Sequence, residues 1–99
     1  MKYIGLDYGL SKTGIATSDN ILKIPTIKGT VNTNKLLNIL KNELYKEGDL
    51  FVIGLPISMS GRYSTQTYET IDFSIQVNEL FQAGVFLIDE RLTTQQILF

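Results

Sequence analysis

The sequence predicts an α/β domain built around one mixed five-stranded sheet with helices packed on it. Three observations carry that prediction. The pattern along the chain reads strand, strand, strand, helix, strand, helix, strand, then the start of a helix. Two short continuous apolar runs, Leu50 to Pro56 and Val85 to Asp89, read as strands buried on both faces, as in parallel sheets. Ahead of both, Leu36, Leu40 and Leu44 recur at the spacing of one helical stripe.

The elements follow in order. Tyr3 to Asp7 alternates, with Tyr3, Gly5 and Asp7 on one face and Ile4, Leu6 and Tyr8 on the other. Gly14 to Ser18 reads as its hairpin partner across a Gly9–Thr13 turn. Ile24 to Val31 reads as a third strand, and Pro25 suits its start or a sheet edge. Thr33 or Asn34 caps a helix over residues 34–47, which Gly48 is placed to end. A polar loop, Ser58 to Thr65, leads into a helix over 66–82, with Phe73, Val77, Leu80 and Phe81 on its apolar face and Gly84 at its end. Thr93 is placed to cap a further helix. The first three strands form an antiparallel meander, and the later ones join by right-handed crossovers.

Composition narrows the chemistry. The chain has 99 residues, room for a single domain spanning 1–99, with 43% hydrophobic and 19% charged residues. No apolar run approaches the roughly 20 residues of a membrane helix, and the N-terminus does not read as a signal peptide. Cysteine is absent, which fits a cytoplasmic protein, and excludes disulfides and thiolate zinc sites. Histidine is absent too, excluding a Ser-His-Asp triad and histidine metal sites. A net charge of −1 supplies no global field for nucleic acid, so such a site needs locally placed Lys and Arg.

Candidate site residues gather at the carboxyl ends of the strands, where open α/β sheets bind ligands. Strand one delivers Asp7, the 50–55 strand delivers Gly54-Leu55-Pro56, and the 85–89 strand delivers Asp89, Glu90 and Arg91. Carboxylates that meet there repel unless a cation compensates them. With only oxygen ligands, that cation is Mg²⁺ or Mn²⁺, and the chemistry it suits is phosphoryl transfer. Two readings of each acid stand at this point: Asp7 is a turn residue or a metal ligand, and Asp89 is a helix cap or part of the same site. Lys12, Arg62 and Arg91 lie in loops around this edge and are either phosphate contacts or solvated charges. Asp19 reads as a plain turn residue. Gly5, Gly9 and Gly14 either shape a tight hairpin or admit something close to the backbone.

The stretches "IGLDYGLSKTGIATSD", "VIGLP" with a following Gly61, and "DERLTT" occur in that order. Together they resemble the YqgF (RuvX) family of RNase H-like proteins, proposed as Holliday junction resolvases and as pre-16S rRNA nucleases. The resemblance spans Met1 to Thr94. It implies an RNase H-like fold with sheet order 3-2-1-4-5. It also implies Asp7 and Glu90 as catalytic metal ligands, with Asp89 beside them, and Lys12 and Arg91 near the substrate backbone. The implied cofactor is Mg²⁺ or Mn²⁺, the partner is precursor 16S rRNA or branched DNA, and the reaction is phosphodiester hydrolysis. Members of the family continue past the last motif into a helix carrying a third acidic residue, which no position here matches. A sheet face left partly bare would bring marginal stability or self-association into a homo-oligomer. Two other readings compete: a binding module for RNA or a ribosome-assembly partner that turns nothing over, and a nucleotide phosphoryl-transfer domain suggested by "GLDYG".

Overall fold

A computed structural model describes residues 1–19 and 24–91. Five strands form one sheet in the order β3-β2-β1-β4-β5: β1 Tyr3–Asp7, β2 Lys12–Ser18, β3 Thr26–Asn32, β4 Leu50–Leu55 and β5 Val85–Asp89. β1 pairs antiparallel with β2 and parallel with β4. β2 pairs antiparallel with β3, and β4 pairs parallel with β5. This is the predicted mixed α/β sheet in the predicted order.

Two helical elements connect the strands. α1 is a composite: a 3-10 turn Thr33–Lys35, an α turn Leu36–Ile39 and a π turn Leu40–Leu44. α2 runs Thr65–Phe81. α2 opens on a reciprocal capping box in which Ser64 Oγ accepts from the Thr67 N–H and Thr67 Oγ1 accepts from the Ser64 N–H. Thr67 Oγ1 also donates to the Pro56 carbonyl, tying the start of the helix to the carboxyl end of β4.

One sheet face is packed. Ile4, Leu6, Ile15, Phe51 and Ile53 alternate onto it and meet Leu36 and Leu40 of α1 and Phe73 and Val77 of α2. Thr67, Thr70 and Ser74 are buried in the same interface, where a sequence reading places apolar residues. They fit because Thr70 Oγ1 donates to the Gln66 carbonyl and Ser74 Oγ to the Thr70 carbonyl, each four residues back, so each of these three buried hydroxyls has a partner. Beyond the ends of the strands away from the site, Asp49 is buried and accepts from Lys2 Nζ (2.5 Å), the Lys2 N–H and the Lys46 N–H.

Several expectations are corrected. β2 begins at Lys12, not Gly14, so the hairpin connection is shorter than Gly9–Thr13. β3 begins at Thr26 and reaches Asn32. α1 ends at Leu44, not 47, because Tyr45 turns extended and packs against Phe51 and Phe81 (ring centroids 5.5 and 4.8 Å). Gly48, at φ +93°, therefore belongs to the following turn and does not end the helix. Gln82, not Gly84, takes the left-handed position after α2 (φ 53°). Leu80 is exposed, off the buried face of α2. Neither apolar run is buried on both faces: β4 alternates half-buried with buried residues, and the Val85–Asp89 run is an edge strand with Phe86 and Leu87 exposed. An apolar run marks a strand but does not say whether a layer covers it, and the described helices cover one face. The helix expected from Thr93 lies outside the described residues.

Candidate active site

The register of the sheet decides which carboxylates meet. Asp7 is two residues beyond Gly5, so it emerges on the face opposite Ile4 and Leu6. Across the β1–β2 ladder it sits beside Gly14. On β5, Ile88 pairs with Gly54 and Asp89 with Leu55. Glu90 therefore follows the alternation of Phe86 and Ile88 onto the same open face as Asp7, while Asp89 falls beside buried Leu55. A groove of about 610 Å³ runs along the open face, floored by Gly5, Gly14, Ala16 and Gly54 and bounded by Asp7 and Glu90.

Gly54 makes the arrangement possible. A Cβ there would lie 2.8 Å from Glu90 Oε1 and 3.2 Å from its Cγ, so the Glu90 side chain occupies the space a larger residue would fill. Gly9 has an equally direct cause: a Cβ on it would collide with the Lys12 carbonyl. Gly14 and Gly5 stand differently, since a Cβ on either would make only ordinary contacts of 3.5 Å or more. These two leave the floor of the groove open without being forced by a close neighbour.

The electrostatics follow from the placement. Desolvation, then the charge of Asp7, then that of Asp89, push the Glu90 carboxyl above its ordinary range. Asp89 is held below its ordinary range by Arg91, whose Nη2 donates to Oδ2 at 2.8 Å and whose Nε and backbone N–H donate to Oδ1 at 3.1 and 3.0 Å. The acids thus divide into two roles. Asp7 and Glu90 form a mutually repelling pair facing the groove, and Asp89 grips a guanidinium.

The basic residues flank the pair on both sides. Lys12 opens β2, exposed, in register with Asn32. Arg62 is exposed in a loop closed by Ser58, which accepts from the Arg62 and Gly61 N–H groups. Arg91 reaches toward that loop, with Nη1 3.8 Å from where a Gly61 Cβ would stand. Asp19 is exposed just after β2. The loop between Asp7 and Lys12 is held by Thr33, a residue sequence reasoning valued only as a helix cap. Thr33 Oγ1 donates to the Gly9 carbonyl (2.6 Å), its N–H donates to the Ser11 carbonyl (2.9 Å), and Oγ1 meets buried Thr13 Oγ1 (2.8 Å). Gly54 was within reach of sequence reasoning, because a glycine interrupting an apolar strand signals close approach; Thr33 carried no such signal.

The donor set fits a hard cation. Asp7 and Glu90 offer oxygen only, and Mg²⁺ sites commonly draw one or two carboxylates from the protein. Among the described residues no group of three acidic, histidine or cysteine side chains is arranged to hold a metal ion.

A mixed sheet of order 3-2-1-4-5, with acids at the end of its central strand and just after an edge strand, defines the RNase H-like class. The chain belongs to the RuvX family, described as Holliday junction resolvase, which it matches over residues 1–98. Relatives carry the name "Putative pre-16S rRNA nuclease". The protein of Rickettsia rickettsii (strain Sheila Smith) is 38% identical over 97 residues, covering 93% of this chain and 62% of that protein. That of Wigglesworthia glossinidia brevipalpis is 34% identical, covering 92% and 66%. That of Thermotoga maritima is 32% identical, covering 93% and 38%. The chain thus spans about three fifths of the length of the first of these relatives. No described helix is long and apolar enough to cross a membrane.

Proposed function

We propose that this chain carries the core of a divalent-metal-dependent nuclease that hydrolyses phosphodiester bonds in structured nucleic acid, acting in the cytoplasm on the 5′ end of precursor 16S rRNA. The observation that carries the reading is the Asp7–Glu90 pair, brought onto one open sheet face although the Asp7 charge disfavours an ionised Glu90. A fold retains such repulsion where a cation or a proton relieves it. Asp7 and Glu90 would hold Mg²⁺ or Mn²⁺. When bound, the cation offsets their charge, polarises an attacking water and stabilises negative charge on the phosphoryl oxygens.

The chain's own residues do the positioning. Gly54 lets the Glu90 carboxylate lie across the sheet beside Asp7. Asp89 holds the Arg91 guanidinium by two parallel bonds and presents it at the rim, where it meets a phosphate of the substrate backbone. Lys12 and Arg62 contact phosphates on either side. Such contacts give affinity and register but read no sequence. The relatives' name supports precursor 16S rRNA as the substrate, and the family description supports branched DNA as the older alternative. The test is cleavage of a precursor 16S rRNA fragment and of a four-way junction in Mg²⁺. The reading expects cleavage by the wild type and at least a hundredfold loss in Asp7→Asn; equal cleavage by Asp7→Asn would sink it.

One observation favours a second reading, a module that binds RNA without cleaving it: the described residues bring only two carboxylates into the groove and commit Asp89 to Arg91. Salt-sensitive RNA binding with no cleavage in either Mg²⁺ or Mn²⁺ would select it.

A further inference from the structure

The end of the β4–α2 loop and the first turn of α2 together carry an exposed aromatic pair that the carboxylate site does not use. Tyr63 and Tyr68 meet edge to face, with ring centroids 5.6 Å apart and planes at 65°, and they remain 48% and 58% exposed. The other ring contacts among the described residues, Tyr8 on Phe73 and Tyr45 on Phe51 and Phe81, all pack against the core. Two tyrosines left in water need a different cause.

Their place gives one. Thr67 fastens the start of α2 to Pro56, at the same carboxyl edge of the sheet that carries Asp7 and Glu90. Tyr63 directly precedes the Ser64 cap, and Tyr68 lies in the first turn of the helix. Both rings therefore stand on backbone fixed by the capping box. The preceding loop is fixed as well, by the Gly61 N–H donating to the Ser58 carbonyl (2.8 Å) and the Arg62 N–H to Ser58 Oγ (3.0 Å). Arg62 is the neighbour of Tyr63 in sequence, and the Arg91 guanidinium approaches Gly61, two residues before Tyr63. The surface thus combines rigid aromatic faces with cationic side chains, beside a site read as acting on phosphodiesters.

We propose that Tyr63 and Tyr68 form a stacking platform for an unpaired nucleobase of a single-stranded segment, with Arg62 and Arg91 holding the flanking phosphates. This rests on the nucleic-acid reading above. An edge-to-face pair leaves ring face open, and every nucleobase has a π-face to lay on it, so the contact favours single strands without demanding a sequence. A fully paired duplex keeps its base faces stacked inside and gains nothing from the rings. The platform accordingly gives the site a preference for single-stranded or locally unpaired substrate over continuous duplex.

The experiment uses the 99-residue chain in EDTA, so that cleavage cannot intervene. The probes are a ten-nucleotide single-stranded RNA containing 2-aminopurine and a blunt duplex of matching sequence. The wild type is expected to bind the single strand with a change in 2-aminopurine fluorescence. Tyr63→Ala and Tyr68→Ala are each expected to weaken that binding roughly tenfold and to abolish the fluorescence change. Tyr63→Phe and Tyr68→Phe keep both, and duplex affinity stays constant throughout. Because both rings are exposed, the variants fold, which circular dichroism verifies. Wild-type binding that the alanine variants leave unchanged would overturn the platform alone and leave the tyrosines to a protein surface. An equal loss on duplex and single strand would also overturn it. A wild type that binds neither probe would overturn the nucleic-acid reading together with the platform.

Discussion

Replacing Gly54 by alanine separates the site from the fold. The new Cβ would point onto the open face, 2.8 Å from Glu90 Oε1, 3.2 Å from its Cγ and 3.4 Å from its Cδ. The carboxylate must retreat by about half an ångström to restore ordinary contact. The backbone at residue 54 does not oppose the change, because Gly54 is not among the positive-φ glycines. Alanine in a strand is favoured over glycine by roughly 0.5–1 kcal/mol. For a domain of this size that corresponds to a melting temperature raised by up to about 5 °C. The obstructing atoms belong to a flexible side chain, so little of the gain is lost to strain. The metal site fares differently. Disturbing the groups that position a metal's ligands costs on the order of ten- to a hundredfold in affinity, and a displacement this small falls at about the low end. We therefore expect Gly54→Ala to melt at or slightly above the wild-type temperature by calorimetry and to bind Mn²⁺ about tenfold more weakly by titration. Unchanged Mn²⁺ affinity would refute the role given to Gly54, and a large loss of stability would refute the account of its backbone.

Four further outcomes follow from the same structure. Asp7→Asn is expected to stabilise the metal-free protein at pH 7 by about 0.5 kcal/mol, because it removes a charge that disfavours ionised Glu90; thermal melting in EDTA checks this. Lys2→Ala removes the 2.5 Å contact to buried Asp49 and the bond to the Leu44 carbonyl at the end of α1, and is expected to cost roughly 2–3 kcal/mol in urea unfolding, below the range for fully buried pairs because Lys2 is partly exposed. Burial pushes Asp49 up, but its bonds from Lys2 and Lys46 outweigh this and hold its pKa low. Its contribution is therefore fully present above the ordinary carboxylate pKa and is lost as pH falls through the lowered folded value, so the Lys2→Ala deficit should shrink on acidification below about pH 4. Thr33→Val deletes the hydroxyl bond to Gly9 and is expected to speed amide exchange in residues 8–12 roughly fivefold, about 1 kcal/mol, with Thr33→Ser near wild type. Ile27 and Phe86 lie exposed along the open face, so the 99-residue chain should sediment increasingly as a dimer with concentration, and Phe86→Lys should reverse this; a monomer at every concentration would count against it.

The fold was legible where the signal is local. Alternation in Tyr3–Asp7, the leucine stripe of α1 and the apolar runs of β4 and β5 each report their own element, and chain order then restricts the topology. What escaped depends on which groups end up packed or bonded together. Tyr45 leaves the helix because Phe51 and Phe81 offer it a ring cluster. Nothing in Val85–Asp89 says that it lies at an edge. Thr67, Thr70 and Ser74 look like a polar helix face until their hydroxyls are seen bonded to backbone carbonyls. The site divides in the same way. Placing Asp7 and Glu90 at one sheet edge needed only strand order. Splitting Asp89 from Glu90 needed the alternation of β5 to be followed through its register with β4. The reason for Gly54 sits 36 residues later, in Glu90.

The central claim is that Asp7 and Glu90 jointly hold a divalent cation. Calorimetric titration of Mn²⁺ into the 99-residue wild type, Asp7→Asn and Glu90→Gln tests it most directly. One saturable site is expected in the wild type and its loss in both variants, with all three proteins folded. Binding that survives both substitutions, or a folded wild type that takes up no Mn²⁺, would contradict it.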